Sequence, residues 1–160
     1  MTILALDLSL TSTGYAHGTA TGTIAVKSRG VTRLAENRDR LRELVLTCSP
    51  ERVVMEGYAN GKGDNYAKGM WGGVARLLLH DMGLAVVEVP PASLKKFATG
   101  KGNANKDTML EAAIRRFGFQ GHGNDEADAW LLLKMAEAAY DIGVTTTAYQ
   151  DEALAKVVWR

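Results

Sequence analysis

Residues 2–8 read TILALDL, a short apolar run in which the only charge is Asp7. A run of this length that is apolar at nearly every position is typical of a strand buried on both faces of a sheet. Residues 52–56, RVVME, have a similar pattern and end at Glu56. If the two strands are parallel neighbours, about 4.8 Å apart, the two carboxylates converge at the edge of the sheet where open α/β folds bind ligands.

The remaining periodicity predicts an α/β protein with a central five-stranded mixed sheet flanked by helices. Two strands are expected at 14–20 and 23–29, joined by a hairpin at Thr21-Gly22, and a last strand is expected at 84–89. The first three strands are expected to be antiparallel. Helices are predicted at 33–47, 65–82, 92–98, 106–117 and 124–141.

A second pair of acids follows late in the chain. Asp125 and Asp128 are three residues apart at the start of a predicted helix, so that their side chains share a face. Singly, each acid has an ordinary explanation: Asp7 as a turn residue, Asp125 as a first-turn acid favoured by the helix dipole. With Glu56 they form a set of hard oxygen ligands, which favours Mg²⁺, Mn²⁺ or Ca²⁺ over Zn²⁺. Two such ions about 4 Å apart would make a phosphodiesterase site.

The composition excludes several classes of protein. Hydrophobic residues make up 46% of the chain and charged residues 23%, which is typical of a globular protein and not of a disordered one. No apolar run approaches the roughly 18 residues of a membrane span, and a secretory signal is not expected because the N-terminus has no basic leader. The one cysteine, Cys48, excludes an internal disulfide, so that the cytoplasm is the expected compartment.

The net charge of +1 conceals two opposite blocks. Residues 91–117 carry six bases and two acids, whereas residues 118–160 carry three bases and seven acids. The value for the whole chain argues against a nucleic-acid partner, but the basic block alone favours one. We find no convincing domain boundary within the predicted sheet and helices. We therefore assign one domain to 1–141 and a C-terminal tail, packed as a helix, to 142–160.

Four segments of the chain resemble those of the RuvC-type Holliday-junction resolvases. They are, in chain order, residues 3–7 with 13–15, residues 53–56, residues 91–106 and residues 125–129. The last of them, DEADA, is similar to the closing Asp-x-x-Asp-Ala motif of the family. The resemblance covers most of 1–140, and its third and fourth segments, in this order and spacing, are the more specific ones.

The resemblance implies an RNase H-like fold and a metal-dependent endonuclease for branched DNA. Such an enzyme resolves Holliday junctions as a homodimer that makes paired symmetric cuts. By the same resemblance, the catalytic residues also bind two Mg²⁺ ions, for which Mn²⁺ would substitute; they are Asp7, Glu56, Asp125 and Asp128. Lys95 and Lys106 correspond by position to basic residues near the scissile phosphate of the family.

The basic segment is a candidate DNA contact in its own right. Lys95, Lys101 and Lys106 surround a Gly/Asn loop, in which glycines permit close approach of a phosphate and lysines neutralise it. Read alone, the loop is better explained by a solvated turn, and it is not a Walker A motif, but its place between two acidic motifs favours a DNA contact. Lys62 and Lys68 are candidates to hold a second DNA strand.

The sequence departs from the family pattern in several places. Asp7-Leu8-Ser9 replaces the usual Asp-Pro-Gly, and the chain is short. Gly57-Tyr58-Ala59 stands where many relatives place an aromatic wedge, so that Tyr58 is the candidate for that role. Trp71 is a candidate either for base stacking or, more simply, for the core. These features resemble the short phage-encoded branch of the family, for which the compartment would be the host cytoplasm.

Other functions remain open on the sequence. An RNase H-type nuclease acting on RNA–DNA hybrids would use the same fold and the same acids. A non-catalytic module that binds branched DNA would keep the fold, although a pure binder gains nothing from carboxylates that face phosphates. A sugar-kinase or actin-like ATPase also begins with an Asp-turn-Thr-Gly motif, but such proteins need two lobes and a longer chain.

Overall fold

A computed structural model describes residues 1–57, 65–143 and 145–159, with the backbone alone over 65–68. The strands are β1 (Ile3–Asp7), β2 (Thr13–His17), β3 (Ala20–Ile24), β4 (Arg52–Glu56) and β5 (Ala85–Val89). The helices are α1 (Gly30–Cys48), α2 (Asn65–Asp81), α3 (Pro91–Thr99), α4 (Lys106–Phe117), α5 (Asn124–Ala139) and α6 (Ala148–Leu154). Helices α1 to α5 begin and end within three residues of their predicted bounds.

The five strands form one mixed sheet in the order β3-β2-β1-β4-β5. β1 is antiparallel to β2 and parallel to β4. At the edges of the sheet, β3 is antiparallel to β2 and β5 is parallel to β4. The predicted mixed sheet and the parallel pairing of the first and fourth strands are therefore confirmed.

The central strand β1 sends alternate side chains into two cores. Ile3 and Ala5 pack with residues of α3, α4, α5 and α6, whereas Leu4 and Leu6 pack with residues of α1 and α2. All four side chains are buried. Helices thus cover both faces of the sheet, which explains why this strand shows no polar alternation. In the described part of the chain, no helix is long and apolar enough to cross a membrane.

The hairpin between β2 and β3 turns earlier than the sequence predicts. His17 pairs with Ala20, so that the turn is Gly18-Thr19 and the expected strand at 23–29 is wrong. Gly18 has a φ of +58°, which glycine adopts at the first central position of a two-residue hairpin without steric cost. The Thr21-Gly22 dipeptide, which suggested a turn, lies inside the strand opposite β2.

The last helix, α6, packs against α3. Its N-terminus has a capping box, in which the Thr147 backbone N–H donates to Gln150 Oε1 at 2.9 Å. Gln150 is itself buried, and its Nε2 donates to the Phe97 carbonyl oxygen at 3.4 Å. Ala153 is fully buried against the same core. The assignment of one domain to 1–141 and a separate tail to 142–160 stays a prediction.

Candidate active site

An open cavity of about 610 Å³ lies at the carboxyl ends of β1 and β4. The four predicted acids all line it: Asp7, Glu56, Asp125 and Asp128. Two of the predicted lysines, Lys95 and Lys106, line the same cavity. Residues that are more than 120 positions apart in the chain thus meet at the edge of the sheet where ligands bind in open α/β folds.

The register of β1 and β4 sets the positions of the first two acids. The parallel ladder pairs Leu6 with Met55, and Asp7 and Glu56 are the next residues of their strands. Backbone hydrogen bonds of the sheet therefore hold the two Cα atoms side by side. Both side chains are partly buried, as expected for residues at the end of a strand that enters a core.

A glycine on β2 allows the second pair of acids to come close. Gly14 pairs with Asp7 across the antiparallel ladder, and the start of α5 packs directly over it. A Cβ atom at position 14 would lie 2.0 Å from the carbonyl oxygen of Asp125 and 3.1 Å from the backbone nitrogen of Glu126. No side chain larger than hydrogen fits there, so the glycine determines how near Asp125 lies to Asp7.

The acids at the start of α5 point in different directions. α5 begins at Asn124, preceded by Gly123 with a φ of +103°. Glu126 turns away from the cavity, because its Oε2 accepts a hydrogen bond from Thr21 Oγ1 at 2.7 Å. Asp125 and Asp128 face the cavity instead. The helical spacing of three residues therefore brings both to one face, as the sequence indicates.

The acidity of Asp128 is perturbed by its surroundings in the cavity. Burial, together with the negative charges of Glu56 and Asp125, raises the pKa of Asp128 from its ordinary 3.8 to about 6. The positive charges of Lys106 and Lys95 oppose this rise only in part. A carboxyl group whose charge is disfavoured by its neighbours gains from a cation that neutralises the group.

The donor set fits a hard divalent cation. Four carboxylates line one cavity, and burial together with the charges of Glu56 and Asp125 raises the pKa of Asp128. Oxygen ligands of this kind suit Mg²⁺, Mn²⁺ or Ca²⁺. Within residues 1–57, 65–143 and 145–159, no group of three or more His, Cys, Asp or Glu side chains is arranged to hold a metal ion as it stands.

The basic side chains of the cavity come from α3 and from the start of α4. Lys95 lies on α3, and Lys106 is the first residue of α4. Asn105 caps α4 by accepting a hydrogen bond from the Thr108 backbone nitrogen at 2.9 Å. Lys101 is exposed on the loop between these helices and does not line the cavity. The structure thus brings two of the three lysines of this segment to the acids.

Three predicted DNA contacts lie outside the part of the chain that the structure describes. Tyr58 and Lys62 lie outside the described residues, and the side chain of Lys68 does as well. Their assignments stay predictions.

A buried hydrogen-bond network, which the sequence does not reveal, holds the segment after β1. Thr13 Oγ1 donates to the Ser9 carbonyl oxygen at 2.9 Å and accepts from the Ser9 backbone nitrogen at 3.3 Å. Trp71 Nε1 on α2 donates to the same hydroxyl at 2.9 Å. Thr13 and Trp71 are fully buried, and Ser9 lines the cavity. Trp71 is therefore a core residue that supports one wall of the site, and base stacking is excluded for it.

Arg76 on α2 lines the cavity and was not predicted. Its Nε donates to Glu88 Oε1 on β5 at 2.6 Å, and its Nη1 donates to the Gly72 carbonyl oxygen at 3.0 Å. The hydrogen bond from Arg76 holds the pKa of the Glu88 carboxyl below its ordinary value, although burial partly opposes this effect. No motif marks Arg76 in the sequence, because its place depends on how α2 lies on the sheet.

The fold is RNase H-like, and several solved structures are similar to it. The chain is similar in fold to RuvC of Thermus thermophilus, with a TM-score of 0.71 and 18% identity over 92% of this chain and 100% of that chain. The same RuvC in complex with a Holliday junction substrate gives a TM-score of 0.72. The Fowlpox virus resolvase, solved with substrate Holliday junction DNA, has a TM-score of 0.54 and 16% identity over 86% of this chain and 98% of that one.

Sequence comparison also finds proteins named RuvC. The crossover junction endodeoxyribonuclease RuvC of Synechococcus sp. (strain WH7803) is 34% identical over 100 residues, covering 61% of this chain and 65% of that protein. RuvC of Anaeromyxobacter sp. (strain Fw109-5) is 34% identical over 102 residues, covering 62% of this chain and 50% of that protein. The chain thus spans between half and two thirds of the length of these curated relatives. No protein-family model matches the chain.

The predicted resemblance to RuvC-type resolvases is confirmed by sequence and by fold. The phage-encoded branch stays a prediction, since the matching curated proteins are bacterial.

Proposed function

We propose that the protein is a metal-dependent, structure-selective DNA endonuclease that nicks branched DNA and resolves Holliday junctions by paired symmetric cuts. The observation that carries this proposal is that four acids and two lysines line one cavity. Acids alone would repel a phosphodiester, and lysines alone would bind one without cutting it. A cavity that contains both suits cations and a phosphate together, as phosphodiester hydrolysis requires.

The four acids are proposed to hold two Mg²⁺ ions, with Mn²⁺ as a substitute. When bound, such ions activate water and stabilise the charge on the attacking and leaving oxygens. Asp128 must be ionised to serve as a ligand. Because the pKa of metal-free Asp128 is raised to about 6, protons compete with the metal below that pH, and activity at limiting Mg²⁺ is expected to increase as the pH rises.

The basic residues are proposed to orient the DNA. Lys95 and Lys106 would bind the phosphate next to the acids, because they line the same cavity. Lys101 is exposed on the neighbouring loop and would contact a phosphate further along the strand. Lys62 and Lys68 are proposed to hold a second strand, and Tyr58 to act as a wedge. A homodimer would supply the second cut, and the host cytoplasm is the proposed compartment.

The proposal is tested with Asp7→Asn and Asp128→Asn. Each substitution removes one negative oxygen donor, so we expect cleavage of a labelled four-way junction in Mg²⁺ to fall by about 10³-fold or more while junction binding is retained. Asp141→Asn is the matched control. Asp141 is exposed, lies outside the cavity and has a φ of +54°, which asparagine tolerates. Full activity of both site variants in Mg²⁺ would contradict the proposal.

The same assay distinguishes the alternative functions if the substrates include four-way, three-way, flap and linear DNA and an RNA–DNA hybrid. Cleavage of the hybrid alone would indicate an RNase H-type nuclease. Junction binding without product in Mg²⁺ or Mn²⁺ would indicate a non-catalytic binding module.

A further inference from the structure

The cavity receives basic side chains from both helical layers of the fold. Lys95 and Lys106 come from α3 and α4, whose buried residues share a core with α5. Arg76 comes from α2, whose buried residues share the other core with α1. The acids at the strand ends therefore have cationic groups from each side of the sheet.

The Arg76 side chain is held in one direction. Its Nε and Nη1 donate to Glu88 Oε1 at 2.6 Å and to the Gly72 carbonyl oxygen at 3.0 Å. The side chains of Arg76 and Glu88 are 23% and 45% exposed. An ion pair with so exposed a carboxylate contributes little to stability. Its main physical effect is to fix the orientation of the guanidinium at the cavity wall.

The carboxylate of Glu88 lies beside the strand that carries Glu56. A Cβ atom at Gly57, the residue after Glu56, would be 3.5 Å from Glu88 Oε2. The Gly57 backbone nitrogen also donates to the Val89 carbonyl oxygen at 2.8 Å, so that β4 and β5 are joined at this point. The Arg76–Glu88 pair is therefore anchored to the same strand ends that place the acids.

We propose that Arg76 binds a backbone phosphate of the DNA on the α2 side of the cavity, and that Glu88 is the positioning residue that orients Arg76. This inference rests on the proposed nuclease function. Arginine suits the role because its planar guanidinium matches the geometry of a phosphate and stays charged at any working pH. A strand that crosses the edge of the sheet would then be held by Arg76 on one side and by Lys95 and Lys106 on the other.

The test compares Arg76→Ala, Arg76→Lys and Glu88→Gln in the full chain. Binding of a labelled four-way junction is measured over a range of salt concentrations in EDTA, and kcat and KM for its cleavage are measured in Mg²⁺. Arg115→Ala is the matched control, because Arg115 forms an exposed ion pair with Glu111 on α4 and does not line the cavity. Thermal unfolding of each variant detects any loss of folded protein.

We expect Arg76→Ala to raise the Kd for the junction roughly tenfold and to flatten the plot of log K against log salt by about 0.9. Arg76→Lys keeps the charge and should keep the slope, but with weaker binding. Glu88→Gln should raise KM more than it lowers kcat, with the slope unchanged. A purely structural role for the pair would lower Tm without changing the salt slope.

Unchanged Kd and salt slope in Arg76→Ala would overturn the inference, and so would an equal loss in Arg115→Ala. Failure of the proposed function gives a different result, in which the unsubstituted chain binds the junction without cutting it and Arg76→Ala still weakens binding. If the unsubstituted chain binds no DNA, both proposals are overturned.

Discussion

The four acids reach the cavity from two regions that are built differently. Asp7 and Glu56 stand at the ends of neighbouring strands, where the register of a parallel ladder fixes them. Asp125 and Asp128 stand on a helix that contacts the sheet through side-chain packing and through the close approach at Gly14. One pair is thus placed by backbone hydrogen bonds and the other by packing. The first pair should tolerate nearby substitutions better than the second.

Among substitutions outside the four acids, the largest effect on cleavage is expected from Gly14→Ala, which acts on Asp125 and Asp128. The added methyl group would lie 2.0 Å from the Asp125 carbonyl oxygen, and because that atom belongs to the backbone, α5 must move. A misplacement of about 1 Å costs about 10²-fold in rate, so we expect at least that loss in kcat for junction cleavage. Overpacking should also lower the free energy of unfolding by about 1–3 kcal/mol, measured by urea denaturation.

Gly73→Ala is the control for this substitution. Gly73 lies on the exposed side of α2. Apart from its chain neighbours and the nearby backbone of its own helix, no atom lies within 4 Å of an added Cβ atom. Alanine in a helix is favoured over glycine by about 0.5–1 kcal/mol, so this variant should be slightly more stable and fully active. Equal activity of the two glycine variants would show that the close approach at Gly14 does not place the helical acids.

A second prediction concerns the cost of burying Asp128 in the absence of metal. The pKa of Asp128 in the native state is about 6, above its ordinary 3.8, so the native protein binds the proton more tightly than the unfolded chain. Stability from this group is fully present below about pH 4 and is lost as the pH rises to about 6. Asp128→Asn removes the charge, and we expect it to raise the free energy of unfolding at about pH 7.5 by up to about 3 kcal/mol.

The measurement is denaturant unfolding of both proteins in EDTA at several pH values. The difference should disappear below about pH 4, where the carboxyl group is neutral in the folded and the unfolded chain alike. A gain that is constant with pH, or no gain above about pH 6, would show that the charge of Asp128 carries no such cost. The negative charge on the helical pair, Asp125 and Asp128, would then be no less stable than the charge on the strand pair, Asp7 and Glu56.

The smallest effect on cleavage is expected from Trp71→Phe, which acts near Asp7 at the end of β1. The substitution removes the indole N–H that donates to Thr13 Oγ1 and leaves that hydroxyl bonded only to the backbone of Ser9. The lost hydrogen bond should lower the free energy of unfolding by about 1 kcal/mol, and the smaller ring leaves a cavity that lowers it somewhat further. Because the ladder itself is untouched, we expect junction cleavage to fall only about threefold.

Trp159→Phe is the matched control, because it also removes an indole donor, here to the Leu154 carbonyl oxygen at 3.1 Å, but outside the cavity. Cleavage by this variant should equal that of the unsubstituted chain. A loss of activity in Trp71→Phe as large as that in Gly14→Ala would contradict our expectation that the acids on the strands tolerate nearby substitutions better than those on α5.

The difference between placement by strand pairing and placement by packing also explains which parts of the site could be predicted from the sequence. Two apolar runs ending in acids were enough to place Asp7 and Glu56, because strand pairing follows simple rules of pattern and register. Asp125 and Asp128 were found from their spacing, but the contact that brings them to Asp7 was not. It depends on the absence of a side chain at Gly14, which nothing in the local sequence distinguishes from any other glycine.

Features that depend on tertiary packing were missed or misplaced. The dipeptide Thr21-Gly22 resembles a turn, yet the turn is at Gly18-Thr19, because His17 pairs with Ala20 and places Thr21-Gly22 inside the strand. Arg76 was missed because its role depends on where α2 crosses the sheet, which no short motif records. Lys101 belongs to the same basic segment as Lys95, and only the structure separates the lysine that lines the cavity from the one that does not.

The pairing of β1 with β4 has a consequence for the time course of folding. Leu6 and Met55 meet only after a loop of about fifty residues closes, whereas the β1–β2–β3 meander forms from neighbours in the chain. Contacts between Gly14 and α5 require closure over more than one hundred residues. Non-local contacts form late, because loop-closure entropy must be overcome first. A nascent chain that has exposed β1 and β4 but not α5 would carry half of the acids, so the proposed cation site should be complete only after α5 has left the ribosome.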